Sequence, residues 1–362
     1  MKRNPINEIF FLRGISCLAV VLVHSLNVSA INYQHNMSGI SSILIGILRM
    51  AALFGTPTFI FISEFLLAKS YSDHIPPNFI KKRVKLILFP YLSMALFYAT
   101  FEFFKNDLDF WNEIIKNVFL AGYHGYFIVI IFQFYFLHMF FVKHINKYSP
   151  KIVILVSFII NAAYLGFFNF TNPFDFPYAT YIWERLSWLP FLGWIFYFSL
   201  AFYAGKYRDT FKKLLYKHSK KLIILPFFTL LTVVIMRYLN LPDISSSKRL
   251  DMIFYTTSMI FLIVYLSSFF KTPPRILVFI SQYSFGIYLL HPFFQLMLPY
   301  NPVLNVWLYI VIAFISGIAF PVITTYILNK FTFGKYIVGK IGPGFNPKIE
   351  KNTPKKNTQI AK

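Results

Sequence analysis

The chain has 362 residues, of which 57% are hydrophobic and 21% aromatic but only 13% charged, with positive mean hydropathy and a formal net charge of +22. That balance excludes an ordinary soluble domain, in which charged side chains make up about a quarter of the residues. The basic excess comes without a nucleic-acid motif, so it reads as contact with anionic lipids and as a topology signal, and no nucleic acid is expected as a partner.

Apolar runs of about 20 residues recur along the chain, the length a helix needs to cross a bilayer. The expected fold class is therefore all-α, a polytopic integral membrane bundle of about ten transmembrane helices. They fall roughly at 8–29, 41–68, 84–104, 125–142, 152–170, 187–204, 221–239, 252–270, 276–297 and 305–329. With the N-terminus inside, 27 of the 35 Lys and Arg lie on the cytoplasmic side and six outside. This bias places both termini in the cytoplasm of a multi-pass cell-membrane protein. Residues 1–335 read as the membrane domain, and the basic stretch 336–362 as a disordered cytoplasmic tail. The lone Cys17 allows no disulfide framework or thiolate cluster, no zinc spacing occurs, and no metal is predicted.

In the first predicted helix, Phe10 to Ser25 carries Arg13 and His24 within an otherwise apolar span. Ionisable groups there are costly. Eleven residues at ~100° each return to within roughly 20° of one face, about 16 Å further along the axis. One helix face thus presents both; the alternative has Arg13 reaching to the nearer surface and His24 hydrogen-bonded within the bundle. The second span bends at Gly55-Thr56-Pro57 and then carries Ser63 and Glu64, expected at the depth of Arg13 and able to pair with it. Lys81, Lys82, Arg83 and Lys85 open the third span, as a stop-transfer signal or as a phosphate site. Glu102 to Lys116 reads as an interfacial segment. His124 enters the fourth span near the level of His24, which suggests a shared polar pocket. The outer loop 172–185 sets Trp183 and Trp188 on a rim suited either to sugar stacking or to the membrane interface. The ninth span puts Ser284 and His291 seven residues apart on nearly one face.

Together these stretches resemble the membrane-bound acyltransferase-3 family, marked by an arginine, ten residues and a histidine in the first helix, as in Arg13 and His24. Further matches are GTPTFIFIS and FLL in span two, RVKLILFPY, HGYF at His124, GWIFYF, and SFGIYLLHP ending at His291 and Pro292. Within the family the chain looks most like members named as poly-N-acetylglucosamine exporters. The resemblance implies O-acyl transfer, of an acetyl or succinyl group, from cytoplasmic acyl-CoA as co-substrate to a hydroxyl of a cell-surface or cell-envelope polysaccharide. His24 would be the base on the acceptor hydroxyl. Arg13 would bind the donor, aided by Arg83 and Lys85, with Glu64, Ser63, His124, Ser284 and His291 in support. Implied partners are a surface polysaccharide or lipid-linked glycan, anionic lipids and a glycan synthase. The other reading is an exporter, or export partner, of a polysaccharide such as poly-N-acetylglucosamine, without chemistry of its own. The chain departs from the family at Ser63-Glu64-Phe65, where glycine usually occupies the middle position.

Overall fold

The computed structural model of the chain describes residues 6–175 and 177–345. All regular structure among them is helical. The apolar α1 (Asn7–Asn32) is followed by α2 (Gly39–Ala52) and α3 (Gly55–Tyr71), which together form the second long apolar stretch. The expected bend is a break at Leu53 and Phe54. Pro57 sits in the first turn of α3, where a missing N–H leaves no intrahelical bond unmade. α4 (Phe79–Arg83) continues through a π-helical turn, Val84–Leu88, into α5 (Phe89–Asn106).

The segment read as interfacial ends α5 and then forms α6 (Phe110–Phe119), which doubles back along α5. Phe110 meets Phe103 at one end, and at the other Asn117 donates to the Ala95 carbonyl while accepting, through its own carbonyl, from the Tyr91 hydroxyl. This hairpin carries residues 120–125 into the bundle and delivers His124 to its interior. The chain then runs through α7 (Tyr126–Phe140) and α8 (Pro150–Phe170).

Of the ten expected spans, eight correspond to helical stretches long and apolar enough to cross a membrane, and two are shorter helices. The span expected at 187–204 is divided into α9 (Ala179–Trp188), a 3-10 turn at Phe191–Gly193 and α10 (Ile195–Lys206). The interruption has side-chain causes. The Asn161 amide bridges the Gly193 carbonyl at 2.9 Å and the Phe196 N–H at 3.2 Å, while the Trp194 indole donates to the Trp188 carbonyl at 2.8 Å. α10 is buried nearly throughout and crosses α3 closely, since a β-carbon on Gly205 would lie 2.4 Å from the Phe65 carbonyl oxygen. After α11 (Arg208–Lys217) and α12 (Ser219–Tyr238), the eighth expected span is the 16-residue α13 (Met252–Ser267). The long α14 (Arg275–Leu296) and α15 (Val306–Leu328) precede the short α16 (Gly334–Ile337).

α1 is the hub, packed against α3, α13, α14 and α15. Its first turn is fixed by Glu8, which accepts from Arg208 at 2.5 and 3.0 Å. α8 and α12 lie at the periphery, bury three residues each, and expose Ile152, Leu155, Phe227 and Phe228 as a lipid-facing surface would.

Residues 336–345, the start of the stretch read as a tail, pack onto the bundle. Val338 is buried among Tyr91, Tyr98 and Leu289. The Asn329 amide donates to the Gly339 carbonyl at 3.0 Å, the Gly342 N–H donates to the Gln282 carbonyl at 2.8 Å, and Phe345 meets Phe10 edge-on. Gly339 has φ +83°, a conformation that side chains disfavour, and its missing β-carbon would collide with Phe285. Residues 346–362 lie outside the described residues.

Candidate active site

α14 organises the site through a proline. Pro292 has no N–H for the Tyr288 carbonyl, and its ring prevents the ladder from closing there. His291 occupies the opening: its Nδ1–H lies 2.8 Å from the Ile287 carbonyl and 3.0 Å from that of Tyr288. One residue on, the Tyr98 hydroxyl inserts into the ladder, accepting from the Phe293 N–H at 3.2 Å and donating to the Leu289 carbonyl at 3.1 Å. The same Leu289 carbonyl accepts from His124 Nε2 at 3.0 Å. Two imidazoles are thereby fixed in tautomer and orientation by backbone carbonyls that an unbroken helix would have consumed. Pro292→Ala is expected to close the ladder, raising stability by up to about 3 kcal/mol while acyl transfer falls. Thermal unfolding and product yield, measured together, check that opposition.

The three histidines converge. The His24 and His291 rings meet edge-on with centroids 4.9 Å apart, and the His124 and His291 centroids are 5.8 Å apart. His291 is 1% exposed, and its Nε2 is buried without a partner among the described residues. No group among those residues hydrogen-bonds the half-buried His24 ring, which is available to a ligand proton. Rings in edge contact are not a ligand set, and the described residues contain no metal-holding group of His, Cys, Asp or Glu. Gln295 locks the helix pair beside His24, donating to the Ser25 hydroxyl at 2.8 Å and to the Val21 carbonyl at 3.1 Å.

Below the histidines lies a cavity of about 410 Å³. Arg13, Lys82, Arg83 and Lys340 line one end, and no carboxylate among the described residues lines any part. Ser63 and Ser284 contribute hydroxyls along its wall, while Phe59, Ile62, Phe127 and Ile131 make most of it apolar. The other end is closed by Tyr288, whose hydroxyl donates to the His124 carbonyl at 2.6 Å. Val20, one turn before His24, also faces it. The cavity thus runs from four cations to within one turn of His24, and none of the three histidines lines it. Arg13 forms no ion pair among the described residues, and Arg83 is held over the Phe79 and Tyr135 rings, at 4.7 and 5.4 Å, without a carboxylate.

Several expected residues lie elsewhere. Glu64 does not pair with Arg13. Its carboxylate is 2.7 Å from His138 Nδ1 on α7, with both side chains at most 1% exposed. Sharing a depth was not enough, because Ser63 takes the cavity-facing position and its neighbour points about 100° away. Lys85 is exposed and absent from the cavity wall, where Lys82 stands instead. Trp188 is buried beneath Arg185 and Lys248, at 4.9 Å each, and offers no open stacking face. Sequence reasoning missed Lys340, Tyr98 and Gln295. Only Gln295 left a signal, as a polar residue four positions beyond His291 on the same face.

A multi-pass helical membrane protein with a basic cavity beside clustered histidines is the class that fold and site define. The acyltransferase domain model Acyl_transf_3 matches residues 6–326. The chain is 40% identical to the Bacillus subtilis (strain 168) protein named "Putative membrane-bound acyltransferase YfiQ", covering 96% of this chain and 97% of that one. It is 32% identical to the "Probable poly-beta-1,6-N-acetyl-D-glucosamine export protein" of Staphylococcus aureus (strain MRSA252), over 92% and 95% of the two chains. The protein of the same name from Staphylococcus epidermidis is also 32% identical, over 94% and 96%. No solved structure matches. The chain belongs to the acyltransferase-3 family and is a multi-pass membrane acyltransferase.

Proposed function

We propose that the protein transfers an acyl group from cytoplasmic acyl-CoA to a hydroxyl of a surface glycan, with the Arg13 end of the cavity and both termini in the cytoplasm. The observation that carries this reading is the cavity itself: four cations without a lining carboxylate at one end, and an apolar throat reaching to within a turn of His24. Arg13, Lys82, Arg83 and Lys340 would hold the donor phosphates, where charge-assisted hydrogen bonds are strongest. The pantetheine arm would lie along the apolar wall, bringing the thioester to the histidines.

There the acceptor oxygen attacks the thioester carbonyl as His24 takes the hydroxyl proton. A carbon–oxygen bond forms, the carbon–sulfur bond breaks, and the imidazolium returns its proton to the departing thiolate. His291, tied through Nδ1, would hold the His24 ring from its edge.

A polysaccharide-export role without chemistry is suggested by the names of the staphylococcal relatives. The two readings separate on donor binding and on the glycan. Coenzyme A titrated into purified protein should bind, and Arg13→Gln and Lys340→Gln should each weaken it by about tenfold, the effect of losing one charged phosphate contact. Mass spectrometry of the surface glycan should lose an ester when the protein is removed. Glycan secretion that depends on a protein unable to bind coenzyme A would replace acyl transfer with export.

A further inference from the structure

A second cavity, of about 460 Å³, lies at the other end of α1, between α1, α2, α12 and the loop of residues 239–251. Asn27 and Arg49 line it, together with Arg237, Asn240 and Ser245. Asn27 is three residues beyond His24 and so about 4.5 Å further along the same helix, on a neighbouring face. Arg49, from α2, shares that pocket wall with Asn27.

The pocket is built rather than incidental. Its loop wall is pinned by Arg249, which is fully buried and donates to both Asp251 carboxylate oxygens, at 3.0 and 2.6 Å, and to the Pro242 and Ile244 carbonyls, each at 3.0 Å. That loop offers the Ser245 carbonyl to Arg49 Nη2 at 3.1 Å, which fixes the guanidinium in place. Two polar atoms remain unused: Arg49 Nε, a donor, and Asn27 Oδ1, an acceptor, are buried without a partner among the described residues. Groups in that state cost free energy unless a ligand or water completes them. Charge is unbalanced as well. Arg237 has a carboxylate, Asp243 at 3.4 Å, but that aspartate is 80% exposed, and Arg49 forms no ion pair among the described residues.

We propose that this pocket is the acceptor subsite, and that it takes a sugar carrying an anionic group, a phosphate or carboxylate, close to the hydroxyl that is acylated. The proposal rests on the reading of His24 as the acceptor-side base. Asn27 Oδ1 accepts from a sugar hydroxyl, Arg49 Nε and the Arg237 guanidinium hold the anion, and the acylated hydroxyl falls toward His24, opposite the donor cavity. An anion on the acceptor is selected because Arg49, on the pocket wall with Asn27, has no counter-charge among the described residues.

The test uses full-length protein in nanodiscs of phosphatidylcholine, titrated with N-acetylglucosamine 1-phosphate and with the uncharged methyl glycoside of N-acetylglucosamine. Wild type should prefer the phosphate by about tenfold or more. Arg49→Gln should erase that preference, and Arg49→Lys, which keeps the charge, should retain most of it. Equal affinity for the two sugars, or a preference that survives Arg49→Gln, overturns the proposal. Nanodiscs containing phosphatidylglycerol separate the sources of the anion: sugar-phosphate binding that persists there supports an acceptor site, whereas binding abolished there makes the pocket a lipid headgroup site and overturns it. Coenzyme A titrated into the same samples keeps the readings apart. A wild type that prefers the sugar phosphate yet ignores coenzyme A supports the pocket and removes the donor cavity from the reaction.

Discussion

Replacing His24 with alanine should lower glycan acylation by about 100-fold or more, the usual cost of removing a general base, while the protein inserts, folds and binds coenzyme A as before. Arg13 lies about 16 Å along α1 from His24, and the other cations of the cavity stand on other elements, so the contacts proposed for the donor are untouched. Packing changes little too. His24 is half-buried and its ring meets that of His291 edge-on, whereas α1, α14 and α15 are tied by Gln295. The measurement is ester content of the surface glycan in cells expressing wild type or variant, with melting temperature and coenzyme A affinity of the purified proteins. An acylation level equal to wild type would reduce His24 to a packing residue. His291→Ala should cost less than His24→Ala, because the His291 ring holds its neighbour's edge and does not itself meet the acceptor proton.

What the sequence disclosed follows the range over which each constraint acts. Arg13 and His24 share one continuous helix, so their offset and facing were readable from residue spacing alone. His124 was placed near the level of His24 and His291 on one face with Ser284, but their meeting depends on a tertiary device: the ladder opened at Pro292 and filled by the Tyr98 hydroxyl. Hydropathy carries no record of which carbonyls a proline frees. Ser284 and His291 do lie along one face of α14, yet seven residues is about 10 Å of rise, so they serve different ends of the site. The basic cluster at 81–85 was visible, but the π-helical turn at Val84–Leu88 changes the register just where Lys85 would face inward, leaving that residue exposed. Lys340 was hidden for a different reason. Its segment is polar and basic in composition, and it is anchored through main-chain bonds at Gly339 and Gly342, which side-chain character does not report. The division of the span at 187–204 has the same origin, in Asn161 reaching across from α8.

Glu64 provides the largest expected effect on stability. With Arg13 excluded as its partner, its carboxylate answers only to His138 among the described residues, in a setting where Phe79 stacks on the imidazole at 6.2 Å and Phe202 lies 5.9 Å away. Removing one member of so buried a pair leaves the other's polar atoms without water or partner, a loss of about 3 to 5 kcal/mol. Glu64→Gly should therefore destabilise the bundle even though glycine is the residue that the family resemblance leads one to expect there, and Glu64→Leu should do the same without the added flexibility of glycine. The pair as a whole is a different matter. Both outer atoms, Glu64 Oε2 and His138 Nε2, are already buried without partners among the described residues, so the interaction is only half satisfied. The double variant Glu64→Leu, His138→Phe should recover most of the loss, since an aromatic ring between Phe79 and Phe202 needs no hydrogen bond. Thermal or denaturant unfolding of the two single variants and the double gives the coupling directly. Donor affinity supplies the second reading of the same proteins: because Glu64 faces α7 and not the cavity, coenzyme A should bind all three as it binds wild type. A change in that affinity on Glu64→Leu would mean that the carboxylate acts on the Arg13 end through the intervening turn of α3, and the pair would then belong to the donor site and not to the frame around it.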